Sequence, residues 1–281
     1  MSSLRPVELR FGDLRIEGWS RAGDDNWFRV HPPGLAFDVG RGALQLAGAQ
    51  DVFLSHGHLD HALGLPYVLS QRSLHRLVHT RVYCPAEIAE ALGAFVAAAE
   101  RMERAKYRYD VLPLSPGDRV PVGKGLTVEA FATDHVVPSL GYHLWRRRHH
   151  LAAAYAGLAA AELIGLRERG VEIAETVEDL WLSYCGDTGP RIFEMEPRLL
   201  RSQVLMVECT FLGEEHRDKG ERFKHLHLGD IARWADELEN EAIVLHHLSR
   251  RFRVEDLRAE VERRMPALAP RIHILVEGKE G

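Results

Sequence analysis

A chain of 281 residues, 46% hydrophobic and 27% charged, is long enough to bury a full core and has an ordinary globular composition. A formal charge of −5 and a pI near 6.3 argue against a uniformly basic nucleic-acid coat protein and leave room only for local basic patches. No apolar run reaches membrane-span length, the opening MSSLRPVELRFGD has no signal pattern, and Cys84, Cys185 and Cys209 form no CxxC pair, so core thiols in a cytoplasmic protein are expected.

In chain order, Val7 to Phe11 and Leu14 to Trp19 read as strands joined through Gly12-Asp13, with further strands at Phe28 to His31 and Leu35 to Val39. Asp51 to Pro66, DVFLSHGHLDHALGLP, reads as a strand, a polar loop and a helix start. Ala62 to Leu77 follows at helical spacing, interrupted early by Pro66. A strand at Val82 to Cys84 leads into a helix over Ala86 to Met102, and strands return at Val111 to Leu114, Val120 to Val122 and Leu126 to Phe131. Arg146 to His150 is the densest basic run, followed by an alanine-rich segment, Ala152 to Arg169, with room for one or two helices. Strands at Leu180 to Tyr184, Val204 to Val207, Ala242 to Leu245 and Ile272 to Val276 alternate with helices at Leu228 to Leu238 and Val254 to Arg264. No composition break or repeat divides the chain, and the alternation predicts one layered α/β or α+β domain over residues 1–281.

Ligand-type residues recur where these strands end: Asp38, the cluster of His56, His58, Asp60 and His61, then His135, Asp187, Glu208 and His246-His247. In layered sheets such ends gather at one edge, where a site can be built. Lone histidines such as His31, His75, His79 and His273 read as surface or core residues. Three imidazoles and a carboxylate within six residues instead point to a metal, for which histidine is the commonest zinc ligand.

His56-x-His58-x-Asp60-His61 resembles the signature of the metallo-β-lactamase superfamily, and the order cluster, His135, Asp187, His247 is similar to that superfamily's ligand order. More closely, the chain resembles short-form ribonuclease Z, the tRNA 3′-processing endonucleases. This likeness is carried by LAFDVG at Leu35 to Gly40, TDHVVPSLGY at Thr133 to Tyr142, YCGDTGP at Tyr184 to Pro190, VECTF at Val207 to Phe211 and HLHLGD…VLHHLSRRF at His225 to Phe252. The resemblance implies an αββα four-layer sandwich and two zinc ions per subunit. His56, His58 and His135 would hold one, Asp60, His61 and His247 the other, with Asp187 bridging. It implies attack of a metal-activated hydroxide on a phosphodiester of precursor tRNA, leaving a tRNA 3′-hydroxyl. Asp60 would also accept a proton, and Glu208 with His225 would protonate the leaving oxygen, His227 being the competing donor. A homodimer is implied, with a substrate-binding arm at about residues 144–180 whose Arg146, Arg147 and Arg148 would meet phosphate. The alternative is a hydrolase of the same fold acting on a small phosphodiester or other small ester. A catalytically dead RNA-binding subunit would have lost ligands, which this chain has not, and a redox di-iron protein would carry an acidic residue in place of the second cluster histidine.

Overall fold

The computed structural model describes residues 6–276, so the first five residues of the N-terminal segment considered above lie outside the described residues. Period-two alternation and tight turns make the first strands: β1 (Val7–Phe11) returns as β2 (Leu14–Arg21) with Phe11 opposite Leu14, as the Gly12-Asp13 turn requires. β3 (Asp25–His31) and β4 (Leu35–Val39) extend this antiparallel meander. β5 (Asp51–Phe53), β6 (Thr80–Pro85) and β7 (Tyr109–Leu114) continue from β4 in parallel. Parallel pairing demands crossovers. They are supplied by α1 (Leu59–Ala62) and α2 (Leu65–Leu74) after β5, and by α3 (Ala89–Glu103) after β6.

The second sheet repeats the scheme. β8 (Arg119–Gly123), β9 (Leu126–Ala132), β10 (Leu140–Leu151) and β11 (Ala174–Tyr184) are antiparallel, with α4 (Ala160–Glu168) between the last two. After α5 (Ile192–Met195), β12 (Val204–Glu208) pairs parallel to β11. α6 (Arg217–Phe223) and α7 (Leu228–Ala232) cross to β13 (Ala242–His246), and α8 (Val254–Arg264) crosses to β14 (Ile272–Ile274). Each sheet therefore has seven strands.

Three apolar seams hold the layers. Ile16, Phe28, Phe37, Val128, Leu144, Leu182 and Val244 fill the space between the sheets. Val52, Leu54, Leu65, Val68 and Val96 seal α1 to α3 onto the first sheet, and Leu205, Val207, Ile231, Leu257 and Val261 seal the later helices onto the second. This is the αββα sandwich, and the expected strand-then-helix order follows from it: a parallel strand buried on both faces must be covered by its own crossover.

Several elements differ from the sequence reading. Pro66 does not interrupt a helix; α1 ends at Ala62 and Pro66 sits in the first turn of α2, where its missing N–H costs nothing. α7 stops at Ala232, and the chain continues through turns closed by Trp234 N to Ile231 O and Glu237 N to Trp234 O. α6 was not expected, since RDKGERF has a central glycine and no apolar stripe. The basic run is strand: β10 spans twelve residues and pairs with β9 on one side and β11 on the other. Polar on both faces at its far end, that strand carries no period-two signal. It forms because two neighbours complete its ladder.

Candidate active site

Four strand ends meet at one edge of the sandwich. The loop after β5 brings His56 and His58, α1 brings Asp60 and His61, the loop after β9 brings His135, the turn after β11 brings Asp187, and the residue after β13 is His247. Two cradles result, His56, His58, His135 and Asp187 in one and Asp60, His61 and His247 in the other, and a third group, Asp187 with Glu208, His225 and His247, links them; within each, the donor atoms lie within 4.8 Å of one another. Asp187 lies between them: Oδ2 is 3.7 Å from His56 Nε2, and Oδ1 is 3.4 Å from His61 Nε2 and 3.3 Å from His247 Nε2. Asp60 Oδ2 stands 3.6 Å from both His61 and His247, and His58 Nδ1 faces His135 Nε2 at 3.3 Å.

The outer ring nitrogens show how the imidazoles are aimed. His56 Nδ1 meets Ser55 Oγ at 2.9 Å, His61 Nδ1 donates to Asp38 Oδ2 at 2.7 Å, His135 Nδ1 donates to Lys224 O at 3.2 Å, and His247 Nδ1 meets Thr210 Oγ1 at 3.0 Å. Fixing one nitrogen orients the other inward, as metal-ligating histidines require. Asp38 is the hub of this outer layer, accepting also from Ser55 N, Ser55 Oγ and Tyr184 OH. Asp60 is held by Gly23 N at 2.9 Å and Asn26 Nδ2 at 3.0 Å, and Ser20 Oγ ties Asn26 to His247 N. Asp38 and His247 both take positive φ, +53° and +59°, a strained setting for non-glycine residues that is commonest at functional sites.

Buried His56 Nε2 and Asp187 Oδ1 make no hydrogen bond, an expensive arrangement in a dry interior and the natural one for atoms that ligate a cation. Burial pushes the pKa of His56 well below its usual value, and burial likewise lowers His58 and His135, keeping the neutral, ligating form. Burial opposes ionisation of Asp187, but His247 and His61 outweigh it and hold the carboxyl well below the usual range. For Asp60, burial is likewise overcome by His247 and His61, giving a pKa of about 2. For His61 burial is outweighed by Asp187 and Asp38, raising its pKa well above normal; a proton there stands in for a cation between carboxylates. The donor set, imidazoles with hard carboxylate oxygens, suits metal ions such as zinc.

Glu208 and His225 adjoin the cradles. His225 Nδ1 donates to Glu208 Oε1 at 2.8 Å and lies 3.9 Å from Asp187 Oδ2; Thr188 N and Thr210 Oγ1 also donate to Glu208. Burial pulls the His225 pKa down, yet Glu208 and then Asp187 raise it to about 9. His227 is placed differently, its Nδ1 accepting from Gly229 N at 2.9 Å to cap α7. His246, the last residue of β13, turns instead to the aromatic core, its ring 5.0 Å from Phe28 and 5.5 Å from Tyr184.

Arg146, Arg147 and Arg148 do not join this site. Arg146 lies over the Trp181 ring at 4.1 Å, Arg147 faces Glu178 at 3.7 Å, and Arg148 pairs with Asp179, all across the β10–β11 ladder. Ser20, Asn26, Ser55, Tyr184 and Thr210 were missed from sequence. They are common residue types acting only through a partner, so no local signal marks them; for Asp38 its place at a strand end was the one clue.

The family model of the β-lactamase superfamily domain matches residues 35–248. The tRNase Z TRZ1 of Arabidopsis thaliana is 31% identical over 270 residues, 94% of this chain and 95% of that protein. Among solved structures, the human tRNase Z short form aligns with a TM-score of 0.60 at 18% identity, over 84% of this chain and 93% of that one. Zn(2+)-bound PqqB from Methylobacterium extorquens aligns at 0.66 and 14% identity, over 94% and 98%, a likeness of fold. With 31% identity to a tRNase Z over nearly the full length of both chains, joined to the superfamily match, this chain belongs to the ribonuclease Z family of the β-lactamase superfamily.

Proposed function

We propose that the chain is a metal-dependent endoribonuclease that removes the 3′ trailer of precursor tRNA by hydrolysing one phosphodiester, leaving the tRNA with a 3′-hydroxyl. The observation that carries this reading is the Glu208–His225 pair, set 2.8 Å apart and within 4.8 Å of donor atoms of Asp187 and His247. A metal cradle alone suits many hydrolases; an imidazole kept charged next to it serves an alkoxide leaving group, which must take up a proton as it departs.

Zinc is our assignment, two ions per subunit, with His56, His58 and His135 on one, Asp60, His61 and His247 on the other and Asp187 shared. The solved structure of PqqB, which aligns over most of this chain, is described as Zn(2+)-bound. When bound, such ions polarise the phosphate and make water nucleophilic near neutral pH. The chain's own residues do the rest. The attacking water loses its proton towards Asp60, whose carboxylate is kept ionised by His247 and His61; a base of such low pKa passes the proton on rather than storing it. As the oxygen of water joins phosphorus, the bond to O3′ breaks, and His225 delivers its proton to that oxygen while Glu208 holds the ring. We carry over the homodimer, the cytoplasmic location and an arm over residues 144–180 from the resemblance.

One observation favours the small-substrate alternative: the arm from Leu144 to Leu180 holds five arginines against six carboxylates, a poor surface for a polyanion. Comparing kcat/KM for precursor tRNA and for bis(p-nitrophenyl) phosphate separates the two. Specific trailer release at a far higher kcat/KM supports the proposal; hydrolysis of the small diester with intact precursor tRNA overturns it.

A further inference from the structure

A tRNA substrate needs cations near the scissile phosphate, and Arg146, Arg147 and Arg148 of the arm are already engaged with Trp181, Glu178 and Asp179. Arg41, near Asp60 in the fold, is likewise paired with Asp24 at 3.1 Å and with Asp25. A different set stands immediately after ligand His247, in the turn Ser249-Arg250-Arg251-Phe252. There Phe252 N donates to Ser249 O at 3.0 Å, closing a four-residue turn with Arg250 and Arg251 at its tip.

This turn is unusually well fixed. Arg21, only 6% exposed, donates to both Ser249 O at 3.2 Å and Phe252 O at 3.0 Å, so a buried cation holds the two ends of the turn together. Ser249 N donates to Thr210 O, and Thr210 is the residue whose hydroxyl meets both Glu208 and His247. The turn is thus built onto the same residue that orients a metal ligand and the acid's carboxylate. Its two tip guanidinia are exposed, and neither pairs with a carboxylate among the described residues; Arg251 Nη1 only donates to Ser249 Oγ. Two residues, Leu248 and Ser249, separate Arg250 from His247, a reach of about 10 Å at most.

We propose that the Ser249–Phe252 turn is a phosphate clamp for the RNA strand beside the scissile bond, with Arg250 and Arg251 as its contacts. The inference rests on the tRNA reading above. Arginine suits the task because its planar fork binds phosphate oxygens in pairs, and a rigid turn loses little entropy on engaging them. The clamp, rather than the arm, then supplies the sequence-independent part of the affinity.

The test is steady-state cleavage of precursor tRNA by zinc-loaded protein across a salt series, comparing the parent chain with R250Q/R251Q and R250K/R251K. The double Gln variant is expected to raise KM about tenfold or more and to flatten the slope of log KM against log salt by about one to two, because two phosphate contacts are gone. Its kcat/KM for precursor tRNA should fall several-fold more than that for bis(p-nitrophenyl) phosphate. The Lys variant, keeping the charge, should retain most of the slope. An unchanged slope in the Gln variant, or equal losses on both substrates with loss of bound metal, would overturn the clamp and leave the turn a structural support. Parent protein that hydrolyses the small diester but spares precursor tRNA sinks the tRNA reading first, a result visible before any variant is made.

Discussion

Asp187 presents one oxygen to each half of the site, Oδ2 towards His56 and Oδ1 towards His61 and His247, so its loss affects both. Asp187→Ala is expected to lower kcat about a thousandfold and to lose bound metal, since metal-derived charge stabilisation is worth several kcal/mol. Metal analysis beside single-turnover rates checks this; a variant with full metal and full rate would contradict the assignment. His225 gives a prediction in pH. With its pKa raised to about 9, the proton-donating form dominates below that pH, and activity should fall as pH rises through it. Burial alone would depress this pKa, so Glu208→Gln, which removes the charge that outweighs burial, should move the alkaline limb down by roughly one unit or more. A limb that stays in place would assign it to another group. At this scale the sequence was most informative: the inward-facing histidines and carboxylates follow strand ends, or, for Asp60 and His61, lie on the helix just after one, and their types are recognisable. The outer partners were not legible, because Ser55, Thr210 and Asn26 matter only through residues distant in the chain.

Elements were legible where burial imposes a period and obscure where pairing alone decides. β13 and α8 declare themselves by apolar pattern, whereas the distal half of β10 is polar on both faces and is held by β9 and β11. The contact between α1–α2 and the loop after β4 shows how elements place the site. Gly64 N donates to Gly40 O at 2.6 Å, and a Cβ on Gly64 would lie 2.0 Å from Gly42 N and 2.3 Å from the Arg41 carbonyl carbon. This close approach sets α1, with Asp60 and His61, against the strand carrying Asp38. Gly64→Ala must push these backbones apart, and a loss of about 2–4 kcal/mol is expected in denaturant unfolding, with weaker metal binding. Unaltered stability would show that the two segments can separate freely.

For the whole molecule, two sheets with the same meander-then-crossover plan bring their strand ends to one edge, and that convergence is what a linear reading of spacing cannot show directly. The proposed arm, residues 144–180, is carried by β10, α4 and β11. Replacing residues 153–171 by a short turn should leave hydrolysis of a small diester within about twofold, and should change the salt slope of precursor-tRNA cleavage by less than one, given the arm's balance of charge. A slope change of two or more would return the phosphate contacts to the arm. The central claim, a metal-dependent cut at the 3′ end of tRNA, is tested most directly by mapping product ends from precursor tRNA with protein that is zinc-loaded, chelated and zinc-restored. The account predicts a tRNA ending in a 3′-hydroxyl and a trailer with a 5′-phosphate, abolished by chelation and recovered with zinc. Cleavage undiminished by chelation, or ends bearing a 3′-phosphate, would contradict it.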